Sequence, residues 1–506
     1  MSTESVIFTG VAIYMVLMLV VGFYASKKTH TMTEFIVAGR GLPVWLCSTT
    51  IVATWFGGGT MMGSAGAAYD DGMLGVIADP FGAALALILI GFFFARIFRR
   101  LRVLTVADYM AQRYGQVAAM AITIAALFSN TAWVGAMLVA FGLIFQELTG
   151  TPLVVGIFGG AIVIFIYTAV GGLWAVALTD FLQMIIIIVG LMVLLVVVLV
   201  DVGGWSAISP RIPAETFHLL PRNATGETWL NYLRAWTIIG LVDISAQTLI
   251  QRVLASRSER VAQNSFYLAG IGYLVFGMIP VTLGIIAAVT MPGLTDSESV
   301  IPALAIEHLH PIAIAIFVGA LLAAIMSSAD SALLACASLV ANNVMPLVWR
   351  GATPKAELLV ARLAIPTFGI IAIFIALKIQ VVYDLMLDAN ILGLAAIIVP
   401  FVLGVWWKKA NRTGALAAMG VGLSAWLITL FISRQFILDL PADFIGLAAS
   451  FITMLVVTPL TQTFDPPRPL VDVDGNVVEM KDRLGLLPIW QRKAGSGDDT
   501  APGTTA

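Results

Sequence analysis

Ser327 and Ser328 stand side by side in Ala323-Ala-Ile-Met-Ser-Ser-Ala-Asp330, inside a long apolar stretch. Paired hydroxyls are oxygen donors of the kind a hard cation such as sodium prefers. Ala324 lies one turn before Ser328, and a helical carbonyl keeps a second lone pair for another partner. A distant apolar stretch, Ala53-Thr-Trp-Phe-Gly-Gly-Gly-Thr-Met-Met-Gly63, can supply the rest. Each of its three successive glycines costs about 1 kcal/mol of helix propensity relative to Ala. Broken backbone at membrane depth is tolerated only where protein or a water-lined cavity covers it. A break there frees carbonyls, and those of Ala53 and Phe56 would join Ala324, Ser327 and Ser328 as sodium ligands. None of these is a formal carboxylate, so weak, reversible binding is expected. Two plainer readings stand beside this one. The serines can bond back to their own helix, and Gly59 and Gly63 have the small-xxx-small spacing of a packing face.

Other groups at membrane depth could handle charge. Asp180 opens the sixth apolar span in Ala177-Leu-Thr-Asp-Phe-Leu-Gln183, where it is either an ion-release residue or a helix cap. Asp243, Asp330 and Asp388 lie deeper, and intramembrane carboxylates are functional candidates by default. Asp330 joins Asp180 as a candidate for ion release or gating. Trp55 and Trp133 fall near mid-span, and a desolvated aromatic face attracts an alkylammonium by about 1–2 kcal/mol. The expected substrate-facing set is Trp55, Gly57, Gly58 and Thr60 at the break, with Trp133, Asp243 and Gln247. Four scattered histidines offer no metal-ligand spacing, and no P-loop lysine motif is present. Cys47 and Cys336 both lie in apolar spans and read as buried small hydrophobes.

The elements that must position these residues follow from composition. The chain is 60% hydrophobic and 11% charged over 506 residues, against about 25% charged for a soluble domain. That makes it an all-α polytopic membrane protein. Spans of about 20 apolar residues fall near 5–25, 43–66, 77–98, 118–147, 153–174, 178–201, 228–251, 264–290, 311–344, 357–378, 384–406, 413–433 and 443–462. The first is long enough to remain as a helix, and no basic region precedes it, so a cleaved signal peptide is not expected.

Basic residues alternate between loops: Lys27, Lys28 and Arg40, then Arg96 to Arg113, then Arg252, Arg257 and Arg260, then Arg350 to Arg362, then Lys408 to Arg412. The intervening loops carry Asp70, Asp71, Asp296, Glu298, Asp439 and Asp443. Positive loops face the cytoplasm, which predicts an outside N-terminus and a cytoplasmic C-terminus in the plasma (inner) membrane. The segment 463–506 is polar and reads as a disordered cytoplasmic tail, and Asn223-Ala-Thr225 is a sequon in an outside loop. One extra helix would precede two five-helix repeats of opposite orientation, 43–201 and 228–406, with 413–462 as C-terminal helices. The seventh span should then be broken as well, with Gly240 its weak point.

At these residues the chain resembles the sodium:solute symporter family. The matching pieces are Phe35-Ile-Val-Ala-Gly-Arg40, Ala53–Gly63, Thr105-Val-Ala-Asp-Tyr109, Tyr167–Asp180, Gln251-Arg252 and Ala323–Ser328, spread over most of 1–460. Its choline carriers look most alike. The resemblance implies a LeuT-like fold with sodium between the second and ninth spans, on the same five residues. It places Asp180 on the sodium path toward the cytoplasm, and Trp55 and Trp133 around a quaternary ammonium. Ala246 stands where choline carriers have an aromatic residue, and Thr248 where sugar carriers have a tyrosine. The expected function is therefore sodium-coupled import of a small polar solute: choline or another cationic amine, an amino acid or a monocarboxylate. A non-transporting sensor is disfavoured by the short tail. A channel would need rings of charge or carbonyls along a pore.

Overall fold

The structure, a computed structural model, describes residues 3–222, 225–378, 393–433, 436–437 and 440–479. Asn223, Asp388 and Asp439 lie outside the described residues. Apolar runs without polar interruption fold as long helices because every backbone group is then satisfied within the segment. In chain order come α1 (Thr3–Ser26), α2 (Met32–Val37), α3 (Val44–Trp55), α4 (Ser64–Asp71), α5 (Ala83–Phe93), α6 (Ala95–Leu101) and α7 (Val106–Tyr114). The long α8 (Gln116–Thr149) and α9 (Leu153–Asp201) complete the first half. Beyond α10 (Trp205–Ile208) follow α11 (Gly226–Gly240), α12 (Gln247–Ala255), α13 (Glu259–Thr290), α14 (Val300–His308), α15 (Pro311–Leu339), α16 (Met345–Val348) and α17 (Pro354–Lys378). The chain ends in α18 (Ile398–Trp406), α19 (Arg412–Ser433) and α20 (Ala442–Thr461).

Eight of these helices are long and apolar enough to cross a membrane, and two bent pairs raise the number to ten. The described helices coincide with the predicted spans. Spans five and six share α9, which turns at Gly172 with φ 55° and ψ −150°. Only glycine tolerates that conformation readily, and a Cβ there would sit 2.6 Å from the Phe35 carbonyl oxygen. The eleventh span is described only from Gly393.

Each half begins with a broken span. In the first, α3 stops at Trp55, and a wide turn over Gly59–Gly63 leads into α4. In the second, α11 and α12 meet at a 50° bend through a tight turn over Val242–Ser245. The α-helix ends at Gly240, and after the tight turn Ala246 takes an extended ψ of 126°. Five spans per half, inverted, give a LeuT-like architecture. The most buried of the long helices is α15, which packs on α8, α9 and α1 with Ser327, Ser328 and Asp330 all inaccessible.

The end carrying the basic loops is laced shut. The Leu42 amide donates to the Ala255 carbonyl at 3.0 Å, and the Arg257 amide to Leu42 at 3.1 Å. Arg252 departs from its expected loop position: it is fully buried within α12. The expected disorder from residue 463 is also corrected for 464–479. There Leu470 and Val478 are buried, the Val478 amide donates to the Leu470 carbonyl at 2.8 Å, and Arg113 donates to the Arg468 carbonyl. Buried apolar anchors and paired backbone offset the ordering entropy that composition alone suggested would win.

Candidate functional site

The first break releases a carbonyl. Phe56 leaves helical geometry with ψ 66°, and the Gly57 amide, which would have closed the helical bond on Ala53, donates to Trp55 O at 2.7 Å instead. Ala53 O accepts from Ser327 Oγ across the gap at 3.0 Å. The same hydroxyl lies 3.0 Å from Ala324 O, so Ser327 bonds both to its own helix and to the broken one. A hydroxyl has a single proton, so at any moment one of these two carbonyls is left without it. Ser328 Oγ is buried with no hydrogen-bond partner among the described residues, a deficit worth about 1–3 kcal/mol. A Cβ on Gly57 would lie 2.5 Å from Ser328 Oγ and 3.5 Å from Ala324 O. The glycine is what lets the broken backbone approach the serines. Neutral hydroxyl and carbonyl oxygens, one of them short of a partner, form a donor set that fits a hard cation.

Beside this cluster lies a cavity of about 580 Å³, bounded by Trp55, Thr60, Trp133, Asp243, Gln247 and Ser328 among others. Ser328 therefore belongs to both the oxygen cluster and the cavity wall. Two residues of the expected substrate-facing set are placed elsewhere. Gly57 faces Ser328, and Gly58 packs toward Ile325 and Ala140, so neither bounds the cavity. The departure from helix at Phe56 turns those positions onto α15, and Gly58 onto α8 as well. Gln247 reaches the wall, but its Oε1 accepts from the Val106 amide at 2.8 Å and its Nε2 donates to Ser338 at 3.1 Å. Its side chain ties α12 to α7 and α15.

Asp79 and Tyr273 in the cavity wall were not among the residues expected from the sequence. Thr60 Oγ1 donates to Asp79 Oδ2 at 2.6 Å and lies 2.6 Å from the Tyr273 hydroxyl. An acid two residues into the third apolar run was the available signal. Tyr273 stands edge-on to both Trp55 and Phe56, with ring centroids 6.4 and 5.7 Å apart.

Asp180 and Asp330 sit deeper, away from the cavity wall. Asp180 caps no helix: it lies within α9, fully buried, and accepts from Thr50 Oγ1. Tyr167 donates to Asp330 Oδ2 at 2.6 Å, and Ser331 donates to Asp330 Oδ1 at 3.3 Å. Arg252 Nη2 donates to Ser331 Oγ at 2.5 Å. Thr54, next to Ala53, lies 3.4 Å from Ser331 Oγ and donates to the Thr50 carbonyl at 2.6 Å. A continuous polar chain thus runs from the break toward Asp180 and Asp330, with Arg252 as its cation. A buried charge of this kind persists only when paired and hydrogen-bonded.

A ten-helix core with paired broken spans around a central cavity defines a secondary transporter. The chain belongs to the sodium:solute symporter family, whose sequence model matches residues 35–422. It is 31% identical to high-affinity choline transporter 1 of Caenorhabditis elegans over 464 residues, 86% of this chain and 79% of that protein. It is 28% identical to the osmoregulated proline transporter OpuE of Bacillus subtilis, over 85% of this chain and 89% of that one. Among solved structures, a Na+-coupled sialic acid symporter in a substrate-bound outward-open state superposes with a TM-score of 0.79 at 19% identity. That match covers 91% of this chain and 98% of the other. The relatives are transporters, and this chain is an integral, multi-pass membrane protein.

Proposed function

We propose that the protein is a sodium-coupled symporter that imports a small organic cation by alternating access. One observation carries the sodium part. Ser327 bridges the freed Ala53 carbonyl to Ala324, while Ser328 Oγ is left without a partner against Gly57. Sodium would be held by Ala53, Phe56, Ala324, Ser327 and Ser328. It would exit along the polar chain toward Asp180 and Asp330. Repeats 43–201 and 228–406 would move against each other around this point, with 413–462 flanking them. The distribution of basic loops supports a cytoplasmic closed end and an outside N-terminus, and the proposed setting is the plasma membrane.

The cationic part rests on the wall. Trp55 and Trp133 offer aromatic faces, and Asp243 offers a carboxylate that receives no donor among the described residues. Arg234, a basic residue of the wall, gives its charge to Asp443 at 2.6 Å. Choline, named in one relative, is one candidate, and proline, named in another, makes a zwitterion the second reading. Uptake into proteoliposomes decides. Accumulation of a labelled amine driven by an inward sodium gradient supports the proposal; equal uptake with potassium or sucrose in place of sodium removes it.

A further inference from the structure

Asp79 and Asp243 bound the same cavity from opposite halves of the fold, Asp79 at the head of α5 and Asp243 at the break between α11 and α12. We propose that they act as a carboxylate pair selecting α,ω-diamines, amines with N–H donors at both ends, over quaternary ammonium compounds. This rests on the reading that the cavity takes a cation and narrows it to a chemical class.

The hydroxyls around Asp79 fix its role as acceptor. An ionised carboxylate only accepts, and a hydroxyl has one proton. Thr60 therefore donates to Asp79 Oδ2, and Tyr273, 2.6 Å from Thr60 Oγ1, donates to Thr60 in turn. The Thr60 hydroxyl is thus directed at Asp79 and the Tyr273 hydroxyl at Thr60. One hydroxyl does not saturate a carboxylate, and Asp79 Oδ1 is covered with no partner among the described residues. Asp243 receives no donor from the described residues either. Two acceptors short of donors call for N–H groups, because N⁺–H···O⁻ bonds are short and strong, and a quaternary ammonium has none to give. The charge balance points the same way. With Arg234 bound to Asp443, the described wall presents two acids and no unpaired base. A cavity of about 580 Å³ has room for a chain joining two ammonium ends, with its methylenes against Trp55 and Trp133.

The test uses the purified full-length chain in detergent with sodium present, read by tryptophan fluorescence and checked by thermal shift. The probes are 1,4-diaminobutane, butylamine, choline and propionate. The expected result is that the diamine binds at least about tenfold more tightly than butylamine or choline, as a second charge-assisted bond implies. Asp79→Asn and Asp243→Asn should each erase that advantage while butylamine still binds. Choline binding more tightly than the diamine overturns the pair but leaves the cationic reading standing. Propionate binding with no amine bound overturns both. If either variant fails to fold, the ranking of the four probes on the unaltered protein decides alone.

Discussion

Gly57→Ala is the sharpest perturbation the site allows, because one methyl group lands between the broken backbone and Ser328. The added Cβ would lie 2.5 Å from Ser328 Oγ, 3.2 Å from Ser328 Cβ and 3.5 Å from Ala324 O, well inside ordinary contact at 3.4 Å for the first two. Gly57 does not use a positive φ, so alanine fits the local backbone and the whole effect is steric. Overpacking of a tight interior costs about 1–3 kcal/mol. If the cost falls on the geometry that gathers Ala53, Ala324 and Ser328, it corresponds to a rise of about 5- to 150-fold in the sodium needed for half-maximal uptake. Gly58→Ala is the matched control, since its Cβ would meet nothing closer than Ile325 at 3.5 Å. The assay is initial-rate uptake in proteoliposomes across a sodium titration, with sodium-dependent thermal shift as a second readout. A Gly57→Ala protein that is less heat-stable but keeps its sodium half-saturation would refute the reasoning. The close approach would then be packing alone.

Removing the hydroxyl instead of crowding it, Ser328→Ala should raise the sodium half-saturation far more than it lowers expression; an unchanged sodium dependence takes Ser328 out of the ion site. Trp55→Leu should weaken inhibition by organic cations much more than Trp55→Phe, as a phenyl face keeps part of the attraction and an aliphatic chain keeps none; equal effects would dismiss the aromatic contribution. A cysteine introduced beside the exposed Arg257 should be labelled by an impermeant thiol reagent only from the cytoplasm, and labelling of intact cells would invert the orientation. In the loop helix α2, backbone donation from His30 holds the Glu34 carboxyl below its ordinary range; burial opposes it, and donation from Thr31 adds to it. Its stabilisation is therefore present above the unfolded carboxyl range and lost as pH falls through the lowered value. The melting difference between unaltered protein and Glu34→Gln should be open at neutral pH and close on acidification.

How much of the fold and site was legible in the sequence depends on what each feature is made of. Glycines at mid-membrane and paired hydroxyls are local signals, so the first break and the Ser327–Ser328 cluster stand out in the letters themselves. The second break was announced only by polar residues around Gly240; there the α-helix ends at Gly240, tightens over Val242–Ser245 and leaves helical geometry at Ala246. Facing directions are another matter. Once Phe56 leaves the helix, the rotation of the next residues depends on which backbone amide finds which carbonyl, and the Gly57 amide turning to Trp55 carried Gly57 and Gly58 onto α15. Gln247 looked like a ligand because it is polar at depth, yet Val106 and Ser338 consume both ends of its amide. Arg252 illustrates the converse. A basic residue near a span end reads as a loop charge, and no local pattern shows that its burial is offset by donation to Ser331 Oγ on another helix and to the Thr248 carbonyl on its own. Asp79 needed neither rotation nor distant partners to be noticed, only attention to an acid within an apolar run. Its meaning comes from Thr60 and Tyr273, residues 19 and 194 positions away, which no local pattern connects. The proposed ion site, the oxygen cluster of Ser327 and Ser328, is thus encoded largely in short motifs. The cavity wall proposed to meet the substrate is encoded in contacts between motifs, and single substitutions there are expected to change what is carried while the oxygen cluster is untouched.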